Sequence, residues 1–152
     1  IFLSQVQIAL GADKPLMIHA RPTAGSMNAY EEALDILEGV LKDHKNLKGN
    51  FHFFVGDLAI AKRIISIGFT MSFDGPITFA RDYDEVIKFL PLEAILAETD
   101  APFAAPVLHR GKRNESAYVE EVVRQIALIR GEDFEEVREA LVQNALRVFD
   151  IK

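Results

Sequence analysis

The feature that most restricts this chain is its alternation of two kinds of apolar segment. Short runs of strand length occur at positions 15–19 (PLMIH), 49–54 (GNFHFF), 69–73 (FTMSF) and 94–99 (AILAET). Each is flanked by Gly, Pro or polar residues, and none alternates strictly between apolar and polar. Such runs suit strands covered on both faces, as in parallel sheets. Between them, apolar residues recur at helical spacing. Tyr30, Ala33, Leu34, Leu37 and Leu41 form one stripe, and Leu58, Ala61, Ile64 and Ile65 form another that stops at Gly68. Tyr83 to Phe89 gives a shorter helix ahead of Pro91. Val119, Val122, Val123 and Ile126 give the next. The last carries Val137, Leu141, Ala145 and Val148 behind Asp133 and Glu136, which are spaced as a capping box. Phe2, Val6, Ala9 and Leu10 fit a helix at the start. Strand and helix in this order predict βα units on a parallel sheet, within a single domain over residues 1–152.

Composition narrows the chemistry. The 152 residues include no cysteine, so disulfides and thiolate metal sites are excluded. Any metal is left to His, Asp and Glu, ligands that suit Zn²⁺, Mn²⁺, Fe²⁺ or, with more oxygen, Mg²⁺. The net charge of −6 gives no overall attraction to nucleic acid, so contact with a polyanion requires a local basic surface. No apolar run has membrane-spanning length. No signal pattern opens the chain, and a soluble cytoplasmic protein is expected.

In parallel α/β proteins the chemistry gathers at the carboxyl ends of the strands. His19 closes the first run, His52 lies in the second and Asp100 follows the fourth. Singly, each has an ordinary reading: a hydrogen-bonded histidine, or a turn aspartate before Pro102. Together, at one end of one sheet, they predict convergence on a metal. Asp74 after the third run is a weaker candidate. Glu98 shares a strand side with Asp100 and is a candidate supporting residue. His44, in a polar DHKN stretch, reads as a solvated loop residue. His109 lies in a loop with Arg110, Lys112 and Arg113, a local positive cluster that is either solvated or a phosphate clamp. Arg21 has the same two readings.

The segments PLMIHAR, FHFFVG, GFTMSFDGPITF, ILAETDAPFAAP and HRGKRNE, in this order, resemble the TatD family of metal-dependent deoxyribonucleases. The resemblance covers essentially the whole chain and is most specific at ETDAP and RGKRNE. It implies the C-terminal half of a TIM-type (β/α)8 barrel of the amidohydrolase kind, with four parallel strands and their helices, holding two divalent ions (Mg, Mn or Zn). On that resemblance His19 and His52 are metal ligands on the fifth and sixth strands. Asp100, on the eighth, contacts a metal and accepts the proton of the attacking water. Arg21, His109, Arg110, Lys112 and Asn114 are expected on the substrate side, with DNA as the partner. Val55 and Ser116 depart from the family's usual serine and proline, and the RPTAGSMN segment after His19 is longer than many members have. The family's first-strand His-x-His and bridging glutamate have no counterpart here. The chain therefore carries about half of the expected ligands. It is expected to need an N-terminal barrel half and to be inactive alone. The alternatives are a hydrolase of a small ester or amide on the same barrel, and an inactive truncated half-barrel.

Overall fold

The computed structural model describes residues 1–151. Helix α1 (Phe2–Ala12) leads into β1 (Leu16–His19), α2 (Asn28–Leu41), β2 (Gly49–His52), α3 (Leu58–Ser66), β3 (Thr70–Phe73), α4 (Asp84–Phe89), β4 (Ile95–Ala97), α5 (Val119–Arg130) and α6 (Phe134–Phe149). Single 3-10 turns at Gly75–Thr78 and Val107–His109 shape the loops after β3 and β4. The four strands are parallel and lie in chain order, with His19 beside His52 and Phe73 beside Ala97. The α/β class and the parallel four-stranded sheet are as the sequence predicts. The strands are one to three residues shorter than the apolar runs, so Glu98 and Asp100 lie beyond the end of β4.

Parallel neighbours in chain order, joined by right-handed crossovers, place their helices on one face of the sheet. Leu16, Ile18, Phe51, Met71, Phe73 and Ile95 point to that face and join Tyr30, Leu34, Leu37, Ile64, Ile87, Val122, Ile126 and Val137 in the core. The other face has a different composition. Register puts Met17, Asn50, Thr70, Ser72 and Leu96 there, ending in His19, His52 and Glu98. Met17 is 56% exposed on this face, and Leu96 lies outside the main core cluster. The strands are therefore covered by helices on one side only, and on the other side β2 and β3 carry polar residues at alternate positions, flanked by Met17 and Leu96. Within the described residues β1 and β4 each pair with a single strand, which leaves two free edges.

Local signals explain the helix ends. Asp57 caps α3 by accepting from the Ile60 amide, and Gly68 follows it with φ +77°. Asp133 caps α6 by accepting from the Glu135 and Glu136 amides, and no return bond from the Glu136 side chain forms. Between helices, Arg63 joins α3 to α2 through Asp35 and Glu38. Asn144, buried in α6, donates to the Leu92 and Ile95 carbonyls and so fixes the start of β4.

The loop after β4 folds back on the loop after β3. A Cβ at Gly75 would overlap the Ala104 carbonyl oxygen and lie 2.8 Å from the Pro106 nitrogen, both backbone atoms that cannot swing aside. Gly75→Ala is expected to cost about 1–3 kcal/mol of stability, read from urea unfolding. A change within error would show that the two loops separate freely.

Candidate metal centre

The centre is built from residues that leave the strand ends at one edge of the polar face. His19 and His52 are register partners on β1 and β2, and their rings lie 5.2 Å apart between centroids. His19 is exposed and His52 half-buried. His52 Nδ1 lies 2.7 Å from Glu98 Oε1. A carboxylate only accepts, so Nδ1 carries the proton and Nε2 keeps its lone pair for a cation. A carboxylate behind a histidine in this way orients the ring and raises its basicity, the arrangement found behind metal-binding imidazoles.

Glu98 accepts from two further groups. The Phe53 amide donates to Oε1 at 2.7 Å, and the Ser72 hydroxyl donates to Oε2 at 2.6 Å. Behind Ser72, the Asn50 amide donates to its oxygen at 2.8 Å and Thr70 donates to the Asn50 carbonyl at 3.0 Å. The polar ladder thus runs across three strands and ends on the His52 ring. Phe53 has a left-handed backbone at φ +50°, which costs a residue with a side chain about 1–2 kcal/mol. Its amide is held by Glu98, and the next amide donates to the Ser72 carbonyl, so the conformation is fixed from two sides. The Val55 amide donates to the buried Tyr30 hydroxyl, and burial raises that phenol to about 12.

Asp100 is half-buried beyond β4, where its carbonyl accepts from the Phe103 amide. Asp74, from the end of β3, is only 3% exposed and its Oδ2 has no partner. Burial, followed by the charges of Glu98 and Asp100, pushes its carboxyl from 3.8 up to about 8. Asp74, Glu98 and Asp100 therefore share one electrostatic neighbourhood that favours a bound cation or a retained proton.

The other sequence candidates divide. Arg21 lines a cavity with His19. Arg110 lies over the Phe79 ring at 4.1 Å and Lys112 is exposed. Neither Arg110, Lys112 nor Arg113 forms a salt bridge among the described residues. His109 is stacked on Tyr118 at 3.6 Å with 2° between the rings, which fixes its plane inside the loop. Asn114 is 2% exposed, and its side chain donates to the Phe103 carbonyl and accepts from the Glu115 amide. Its polar atoms are engaged within the loop, so Asn114 holds the basic segment in place from beneath. His44 is exposed in a turn, as its polar surroundings indicate.

Among the described residues no three His, Asp or Glu side chains converge as a complete metal cage. The donor chemistry nonetheless fits a first-row divalent ion: adjacent imidazoles, one of them tethered through Nδ1, beside a cluster of carboxylates. Glu98 is the supporting residue that its strand side suggests, though its partner is His52, whereas the Ser72 and Phe53 contributions are hard to see in sequence. The signal for them is the i, i+2 pairing of polar residues inside the apolar runs, Asn50 with His52 and Thr70 with Ser72, together with Glu98 on the same strand side as Leu96.

Asp74 also sets a pH dependence. A carboxyl whose pKa is raised by folding holds its proton more firmly in the native state than in the unfolded chain. That contribution is fully present below about 3.8 and is lost as pH rises through about 8. Asp74→Asn should abolish this decline. With chelator present, urea unfolding should show the variant gaining on the parent as pH climbs across that window. Parallel curves would contradict a buried, unpaired carboxyl.

Comparison with known proteins gives the lineage. The family described as TatD related DNase matches residues 1–150. The chain is 36% identical to YabD of Bacillus subtilis, described as an uncharacterized metal-dependent hydrolase, over 99% of this chain and 57% of that protein. It is 33% identical to YcfH of Escherichia coli K12, which carries the same description, over 99% of this chain and 54% of that protein. The crystal structure of YJJV, a TatD homolog from Escherichia coli K12, superposes with a TM-score of 0.82 at 28% identity, over 97% of this chain and 54% of that one. The chain therefore spans about half the length of the relatives it matches. With the family covering all but the last two residues, this chain belongs to the TatD-related DNase family.

Proposed function

We propose that this chain supplies half of the active centre of a divalent-metal-dependent phosphodiesterase that cleaves DNA. The observation that carries the reading is the His19–His52 pair at adjacent strand ends, with His52 held through Nδ1 by Glu98. A carboxylate-tethered imidazole facing open space has no need of that geometry for packing alone. The relatives' description as metal-dependent hydrolases supports the same reading.

In this reading the divalent ions, when bound, would supply Lewis acidity that activates a water at neutral pH and offsets the phosphodiester's negative charge. His19 and His52 would hold metal from the ends of β1 and β2, and Asp100 from beyond β4, with β3 between. Asp100 also accepts the proton released by the attacking water. Glu98 fixes the His52 ring and takes no part in proton transfer, since all its contacts are to positioned donors. The remaining ligands come from an N-terminal barrel half that pairs with the open edges of β1 and β4. Arg110 and Lys112 bind flanking phosphates, and their loop is held by Asn114 and the His109–Tyr118 stack. In an otherwise acidic molecule this loop gives a local attraction for a polyanion, which favours DNA over a neutral ester or amide.

In protein carrying the complete barrel, Asp100→Asn is expected to lower turnover of a DNA oligonucleotide at least about 100-fold with an unchanged circular dichroism spectrum. Turnover within a few-fold of the parent would overturn the assignment. So would hydrolysis of p-nitrophenyl acetate without hydrolysis of bis(p-nitrophenyl) phosphate. Lys112→Gln should raise KM with little change in kcat. It should also reduce the salt dependence of binding by about one phosphate's share, a log–log slope change of about 0.7–0.9.

A further inference from the structure

A second feature adjoins the metal centre on the side of β1. The segment after His19 does not run directly into α2. It arches over residues 20–27 and borders an open cleft of about 570 Å³ with Phe53, Val55 and Tyr83 on the opposite wall. His19 and Arg21 line the same space. The volume is in the range of small-ligand sites, and the lining mixes apolar side chains with His19, Arg21, Thr23, Ser26 and Tyr83.

The arch is braced from within. The Asn28 carbonyl accepts from the Thr23 amide at 3.1 Å and from the Ser26 hydroxyl at 2.9 Å, while its amide donates to the Thr23 hydroxyl at 3.2 Å. The opposite wall is also fixed, through the Phe53 amide on Glu98 and the Val55 amide on Tyr30. The cavity is therefore preformed. Its position is set by the same carboxylate that orients His52.

Resting on the phosphodiesterase reading, we infer that this cavity is a nucleotide subsite in which a base stacks on Phe53 while Arg21 pairs with the attached phosphate. Phe53 is half-buried and lies outside the core cluster of phenylalanines, with its ring edge-on to His52 at 6.0 Å between centroids. Val55, Met27 and Tyr83 supply the apolar surround. Arg21 is exposed and forms no salt bridge among the described residues, so its guanidinium is available for a phosphate. An aromatic surface beside an unpaired cation, next to two imidazoles, matches a planar base joined through a sugar to a phosphate. A bare phosphate would use the cation alone.

The test uses this chain and three probes, dAMP, deoxyribose 5-phosphate and deoxyadenosine, followed by amide chemical-shift titration. The expected result is tightest binding of dAMP, with shifts at residues 20–27, Phe53 and Tyr83. Phe53→Leu should weaken dAMP about tenfold and leave deoxyribose 5-phosphate unchanged. Arg21→Gln should weaken both phosphates and spare deoxyadenosine. Equal affinity for dAMP and deoxyribose 5-phosphate, an unchanged dAMP affinity in Phe53→Leu, or shifts confined to other surfaces would each overturn the subsite. Hydrolysis of bis(p-nitrophenyl) phosphate by the complete barrel needs no base subsite. Its failure alongside intact dAMP binding would remove the hydrolase reading and leave the subsite standing. Its success without a dAMP preference would do the reverse.

Discussion

The carboxylate of Glu98 is the joint on which this structure turns. It receives the His52 ring, the Phe53 amide and the Ser72 hydroxyl, and so ties the ends of β2, β3 and β4 to one point. Three donors on one partly buried carboxylate satisfy most of its acceptor capacity, which makes the arrangement tolerable away from bulk water. Everything functional leans on it. The orientation of His52, the left-handed turn at Phe53 and one wall of the cavity beside Arg21 all follow from that single anchor.

The two faces of the sheet divide the work. The helix-covered face is a continuous hydrocarbon core that supplies stability, from Val6 through Phe51 and Met71 to Val137. The opposite face carries Asn50, Thr70 and Ser72 in a hydrogen-bonded ladder, which provides the polar bed beneath the histidines. Burying that ladder without partners would cost several kcal/mol, so its mutual pairing is a condition of the site. The loops beyond β3 and β4 complete the arrangement. They lock together at Gly75 and carry the cations of the Arg110–Arg113 segment out over the same end.

Within the carboxylate group the environment separates roles. Glu98 is saturated with donors and acts as a fixed acceptor. Asp74, close by, has an orphaned oxygen and a carboxyl raised by burial and by its acidic neighbours. Asp100 stands at the more open margin, where a carboxylate can reach a metal or a water. Of these neighbouring carboxyls it is the buried, unpartnered Asp74 that burial pushes toward retaining a proton.

The sequence by itself determined the α/β class, the order of strands and helices, and the placing of His19, His52 and Asp100 at strand ends. Periodicity records which face a residue buries, and the carboxyl ends of parallel strands lie along one edge of the sheet. It also carried the family, through contiguous motifs such as ETDAP and RGKRNE. The sequence made Glu98 a candidate supporting residue, but tertiary structure alone decided which groups it supports. Glu98 lies 46 positions from His52, and only the register of β2, β3 and β4 brings it to Nδ1. Asn114 is expected on the substrate side from the family resemblance, yet its side-chain hydrogen bonds engage it within the loop. The cavity at Arg21 was equally invisible, because a loop's sequence does not show which residues from distant strands will face it. Local pattern fixes the elements, whereas long-range register and loop closure fix the site.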